Sequence, residues 1–198
     1  MTELQSMGIR ACAAAKVLAV AGTELKNAAL NAISRALLDN MDTILSANAK
    51  DIEQAKANGM TPSMLDRLTL TAQRIESIAA SVLKVAALPD PVGEVLSEST
   101  LPNGLAVSKV RVPMGVIGII YEARPNVTVD SAVLCLKAGS AAFLRGGKET
   151  IHSNLALETI MRSAVASVGL PEDCIQLLHD TSRETAREMM RLRGFIDV

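Results

Sequence analysis

From about Leu4 to Leu88 apolar positions recur at spacings of three and four with charges between them, as in AAAKVLAVAGTELKNAALNAISRALLDNMDTILSANAKDIEQAKANG. That is the period of helices with one buried face. Thr23, followed by Lys26 rather than an acid, is expected as a plain N-cap, and Asn58-Gly59 as a helix stop. A further helix is expected to open with Thr61 as N-cap and Pro62 at its first position, and the block to close at Pro89-Asp90-Pro91. No strand is predicted within it.

At Val92 the pattern changes. VGEVLSESTLPNGLAVSKVRVP shows two short β-like runs around Pro102-Asn103-Gly104, which predicts a hairpin. Strand and helix signals then alternate: strands MGVIGII, SAAFLR, CIQLL and GFIDV, and helices TVDSAVLCLKA, TIHSNLALETIMRSAVASVG and SRETAREMMR. The expected division is a helical segment at 1–90, a hairpin at 91–112 and a partial βαβ unit at 113–198. Continuous apolar strands are those of a parallel sheet buried on both faces, and right-handed crossovers wind four of them into half of a Rossmann-like sheet. The fold class is α/β. Because the series stops at Val198 on an apolar strand, the chain is expected to be a fragment whose uncovered edge favours association or low solubility.

Composition narrows the function. With 198 residues, 49% of them hydrophobic, there is material for a sizeable core. A net charge of −1 and a pI near 6.1 remove the electrostatic reason for a nucleic-acid or anionic-membrane partner. Aromatic residues are 2% with no Trp, so base-stacking platforms are missing too. A small-molecule substrate is expected. No apolar run approaches the roughly 20 residues of a membrane span. Cys12, Cys135 and Cys174 are odd in number, widely spaced and without CxxC partners, which points away from disulfides and zinc and towards a reducing, cytoplasmic setting. All three read as small core residues, and His152 and His179 lack the neighbours of a metal site.

Gly115 and Gly118 lie within a strand, without the turn and helix N-terminus that make a phosphate loop, and are expected to permit close packing. The loop YEARPNVTVD places Glu122, Arg124 and Asn126 at the carboxyl end of a strand, where open α/β sheets bind ligands. Asn126 is a candidate donor to a developing oxyanion, and Arg124 a candidate clamp for a substrate phosphate or carboxylate. The competing reading is that Asn126 or Thr128 caps a helix beginning near Val129, with Arg124 solvated. After the second strand, AAFLRGGKET offers Arg145 and Lys148 where an NAD site would carry an acid. Two cations suit the 2′-phosphate of NADP, with Gly146 and Gly147 allowing close approach of the ribose. An ordinary solvated loop is the alternative.

Three segments, MLDRLTLTAQRIESIAASVLKVAALPDPVGEV, RVPMGVIGIIYEARPNVTVDSAVLCLKAGSAAFLRGGKE and GFIDV, closely resemble the gamma-glutamyl phosphate reductase family, a branch of the aldehyde dehydrogenase superfamily. The resemblance implies a sheet of the aldehyde dehydrogenase type and NADPH-dependent reduction of L-glutamyl 5-phosphate to L-glutamate 5-semialdehyde in proline biosynthesis. It also implies a cysteine thioester and a homo-oligomeric full-length enzyme. It gives Arg145, Gly146, Gly147 and Lys148 to the adenosine end of NADP, and the loop with Arg124 and Asn126 to the reacting carbon. Family members are longer, and their nucleophilic cysteine lies in a domain that matches none of Cys12, Cys135 or Cys174. The expectation is therefore an inactive N-terminal portion lacking the catalytic domain. The alternative is a noncatalytic nucleotide- or partner-binding protein that offers its hairpin edge for strand addition.

Overall fold

The computed structural model describes residues 2–198. Five helices open the chain: α1 (Glu3–Ala19), α2 (Thr23–Asp39), α3 (Met41–Ala57), α4 (Pro62–Leu68) and α5 (Ala72–Ala87). In α1 a capping box holds the start, Gln5 N donating to Thr2 Oγ1 at 3.2 Å while Gln5 Oε1 accepts from Thr2 N at 3.0 Å. Thr61 does sit at the N-cap of α4 with Pro62 next, although its side chain makes no capping bond. The expected cap at Thr23 is corrected: Gly22 is the N-cap of α2. Thr23 is the first helical residue, and its hydroxyl donates to Asp90 Oδ2 at 2.7 Å, a tertiary partner outcompeting the local one.

The hairpin forms as expected, β1 (Val95–Thr100) pairing antiparallel with β2 (Ala106–Val110). Leu101 N donates to Leu105 O at 2.9 Å across the turn. Every residue of both strands is exposed.

Beyond it, β3 (Val116–Ile120), β4 (Ala141–Arg145) and β5 (Ile175–Leu177) form a parallel sheet in the order β3-β4-β5. The connections are α6 (Pro125–Lys137) and α7 (Ile151–Ser167), and α8 (Arg183–Met189) follows β5. Ala141 to Leu144 of β4 are fully buried because α1 and α6 pack against that strand and α7 against its neighbour β5. One apolar core runs through the helices and the sheet, so nothing in the packing separates them at position 90.

Two expectations are corrected here. The segment GFIDV is not a fourth paired strand. Only its end reaches β3, through Asp197 N to Val116 O at 2.9 Å and Gly118 N to Val198 O at 2.8 Å. Asp197 Oδ2 accepts from Val116 N at 2.9 Å, so a side chain takes a ladder donor. The segment nevertheless lies beside β3 on the side away from β4, which makes β3 the point where the connections change direction. Gly115 and Gly118 are needed for that approach: a Cβ on either would meet Asp197 or Ile196, and Gly115 has a φ of +99°. The second correction concerns α6, which begins at Pro125 and not near Val129. Proline is preset for the first helical position and forces the residue before it, Arg124, into the extended conformation of an N-cap, φ −138° and ψ 100°. Asn126 and Thr128 therefore lie inside the helix, and neither caps it.

Candidate active site

Because β3, β4 and β5 run parallel, the loops that follow them, 121–124, 146–150 and 178–182, gather at one edge of the sheet. The first two are joined by a buried relay of hydrogen bonds. Thr128 Oγ1 donates to Asn154 Oδ1 at 2.8 Å, so the single hydroxyl proton is used there and Tyr121 Oη, at 2.7 Å, is the donor to Thr128. Asn154 Nδ2 then donates to Thr150 Oγ1 at 3.0 Å, and Thr150 to Gly147 O at 3.1 Å. Burial pushes the Tyr121 phenol up to about 12, with the Thr128 hydrogen bond opposing and the Glu158 charge adding to the rise, which keeps it a donor at neutral pH.

The glycines of LRGGKET serve this relay. Gly146 and Gly147 are both buried. A Cβ on Gly146 would strike the Asn154 amide, and one on Gly147 would come to 3.4 Å from Ala123 N in the loop after β3. Arg145 reaches across to the loop before α8, its Nη2 donating to Thr181 O at 2.5 Å and Ser182 O at 3.3 Å, while its Nε is buried without a partner. Lys148 is exposed and forms no ion pair or side-chain hydrogen bond among the described residues.

The helical segment sets the height of this edge. Asp51 on α3, fully buried, accepts from Ser153 Oγ at 2.6 Å, Ser153 N at 2.8 Å and His152 N at 3.1 Å, capping the first turn of α7 from another element. Asn48, a turn earlier, donates to Ser153 Oγ at 3.0 Å and to Leu68 O at 2.9 Å.

Arg124 at the N-cap of α6 and Asn126 in its first turn open onto a cavity of about 380 Å³ between α4, α5 and the first turns of α6. Arg124 is exposed and unpaired among the described residues; Asn126 Nδ2 donates to Asp130 Oδ2 at 3.0 Å. Burial raises the Asp130 carboxyl and the Asn126 hydrogen bond partly offsets the rise. Arg67 and Arg74 line the same cavity. Neither was marked by the sequence, since nothing local links the α4–α5 region to the loop after β3; nor was Asp130, which shares a helix face with Asn126 because α6 begins at Pro125.

A second cavity, of about 510 Å³, lies at the carboxyl end of β5 against α7 and the start of α1. There Glu158, buried, accepts from Leu177 N at 3.0 Å and pairs with His179 Nε2 at 2.9 Å. His179 thus has a partner that spacing did not reveal. The thiols are not activated: burial pushes Cys135 up to about 11 and Cys174 up to about 12, and burial followed by the Asp197 charge raises Cys12, whose Sγ donates to Phe195 O at 3.4 Å. Among the described residues no helix is long and apolar enough to cross a membrane, and no cluster of three or more His, Cys, Asp or Glu side chains is placed to hold a metal.

A parallel sheet with its connections reversing at β3 and polar loops at its carboxyl edge is a frame that binds nucleotides beside the reversal. Residues 8–196 match the aldehyde dehydrogenase family, and the chain belongs to that family, whose members depend on nicotinamide nucleotides. Within it, the chain is 51% identical over 198 residues to the gamma-glutamyl phosphate reductase of Geobacillus sp. (strain WCH70), covering all of this chain and 48% of that protein. The crystal structure of gamma-glutamyl phosphate reductase from Thermotoga maritima superposes with a TM-score of 0.96 at 39% identity, over 98% of this chain and 47% of that one. The Saccharomyces cerevisiae enzyme gives a TM-score of 0.90 at 30% identity, over 99% of this chain and 50% of that one. The chain thus spans about half the length of the relatives it matches.

Proposed function

We propose that this chain provides the nucleotide-binding edge and part of the substrate pocket for NADPH-dependent reduction of L-glutamyl 5-phosphate to L-glutamate 5-semialdehyde, with release of phosphate, in proline biosynthesis. The observation that carries the reading is that the likeness to gamma-glutamyl phosphate reductases runs through the whole chain, including both loops of the site. The nicotinamide nucleotide, when bound, supplies the hydride. The chain's own residues hold and orient. Lys148, without partners among the described residues, takes the adenosine 2′-phosphate, Arg145 adds its charge while its Nη2 ties the site to the loop before α8, and Gly146 and Gly147 keep the backbone low beneath the ribose. Asn126 keeps one amide proton for the carbonyl oxygen of the reacting acyl group, and Arg124 neutralises a substrate anion. With the three thiols held protonated, the nucleophilic cysteine is assigned to residues outside this chain, and the chain by itself to binding without turnover. Three free cysteines fit a cytoplasmic enzyme. The exposed hairpin, with apolar Val95, Leu96, Val107 and Val110 in the open, fits a homo-oligomer of the longer protein.

The test is nucleotide binding followed by turnover. By titration of NADPH fluorescence the chain binds NADPH more tightly than NADH, and Lys148→Glu cuts the preference by about tenfold, equivalent to about 1.4 kcal/mol. Incubated with semialdehyde, phosphate and NADP, the chain alone forms no NADPH. Equal affinity for NADPH and NADH would remove the assignment of Lys148 and Arg145, and turnover by the chain alone would return the nucleophile to Cys12, Cys135 or Cys174.

A further inference from the structure

The cavity beside Arg124 carries more than one anion site needs. Arg74 is committed, its Nη2 to Asp66 Oδ1 at 2.7 Å and its Nη1 to Asp66 O at 2.5 Å and Thr69 O at 2.7 Å. Arg67 and Arg124 form no ion pair or side-chain hydrogen bond among the described residues, so two guanidinium groups face the cavity with their charge unspent. Two carboxylates line the same cavity: Asp66 is taken by Arg74, whereas Asp130, half-buried, has no cationic partner among the described residues and is bonded through only one oxygen, to the Asn126 amide. Leu70 and Ile78 supply an apolar stretch of wall. A site for phosphate alone has no use for Asp130, because a carboxylate repels an anion. With the Arg74–Asp66 pair set aside, two unpaired cations, one unpaired carboxylate and an apolar wall together complement a zwitterion on a short methylene chain.

We propose that this cavity binds the α-amino-acid head of the substrate, Arg67 and Arg124 taking its carboxylate, Asp130 its ammonium, and Leu70 and Ile78 its methylenes. The assignment rests on the substrate class proposed above and adds the residues that choose it. Arg67, from the helical segment, becomes a specificity determinant for a reaction whose other groups come from the sheet edge. An acyl group lacking the α-ammonium leaves Asp130 without a cation and close to the bound carboxylate it repels, and one lacking the α-carboxylate leaves both guanidinium groups unanswered.

The test uses the full chain with L-glutamate as probe of the head group, and glutarate, which lacks the ammonium, and inorganic phosphate as controls. Binding is followed by NMR shifts of the arginine side-chain N–H groups. L-Glutamate is expected to saturate in the millimolar range and glutarate to bind about tenfold more weakly. Asp130→Asn abolishes the difference, Arg67→Ala weakens L-glutamate by about tenfold or more, and Arg67→Lys restores part of the loss. NADPH affinity stays unchanged in all three variants, which shows that they remain folded. The proposal is overturned if glutarate or phosphate binds as tightly as L-glutamate, if L-glutamate does not saturate, or if Arg67→Ala leaves its binding intact. Loss of NADPH binding by the unmodified chain, with L-glutamate still bound, would instead remove the cofactor reading and leave this one standing.

Discussion

Asp90 shows how much one side chain can organise. It closes the linker after α5 by accepting from Lys26 Nζ at 2.8 Å, Thr23 Oγ1 at 2.7 Å and Val92 N at 3.0 Å. Lys26 is 1% exposed, and Lys137, also buried, donates to Asn27 Oδ1 at 2.6 Å and Ala86 O at 2.9 Å in the same cluster. Burial opposes ionisation of Asp90, but the bonds from Lys26, Thr23 and Val92 outweigh it and hold the carboxyl below its ordinary 3.8. Lys137 moves down as well, through burial first and then the Lys26 charge, against the pull of Asp90. Removing the carboxylate leaves Lys26 buried with no counter-charge, so Asp90→Ala is expected to cost about 3–5 kcal/mol in urea unfolding. The pH dependence has a definite sign: a carboxyl held low in the folded state stabilises above its unfolded pKa, and that contribution disappears as pH falls through the folded one. Asp90→Asn should therefore lower stability at neutral pH and flatten the part of the acid-unfolding curve that begins near pH 4, as followed by circular dichroism.

At the scale of elements, α7 is placed by a residue of α3. Asp51 caps the first turn of α7 with three hydrogen bonds, and that turn carries Thr150 and Asn154 into the relay behind Gly146 and Gly147. Asp51→Ala exposes buried donors without a partner. It is expected to cost about 1–3 kcal/mol and to weaken NADPH binding, although Asp51 lies behind the loop and not in it. Unchanged NADPH affinity in a measurably destabilised variant would show that the loop holds its shape without α3. Elements of this kind were read well from the sequence where one period dominated: the helical character of the opening block, the hairpin and the strands β3, β4 and β5 stand where the apolar pattern put them, whereas the one helix expected from Thr61 to Pro89 is divided into α4 and α5, with Thr71 capping the second. The start of α6 was missed because Pro125 has two uses, as a loop residue or as a first helical residue, and only the packing of α6 on β4 selects the second.

For the whole molecule, the contrast is between a shared core and an exposed arm. The core joins Leu30 and Ile33 of α2 to Phe143 and Leu144 of β4, whereas every residue of β1 and β2 is exposed. Amides of the hairpin strands whose carbonyl partners lie only across one two-stranded ladder should exchange with deuterium at rates close to those of local fraying, and those of β4 only on global opening. Hairpin protection equal to that of β4 would mean that an edge is covered in solution by a second chain. That result would support the homo-oligomer.

What the sequence determined by itself is local: helix and strand periods, the turn at Pro102-Asn103-Gly104, and the polar loop with Glu122 and Arg124 at a strand end, since each depends on residues close together along the chain. What the tertiary structure decided is everything shared between distant segments. Arg67 and Asp130 line one cavity, Asp51 caps a helix it does not belong to, Gly146 makes room for Asn154, and a side chain of GFIDV accepts a ladder donor of β3. A periodic pattern records which face of an element is buried but not what it is buried against, and the charges of this site become a binding site only when packing sets them facing one another.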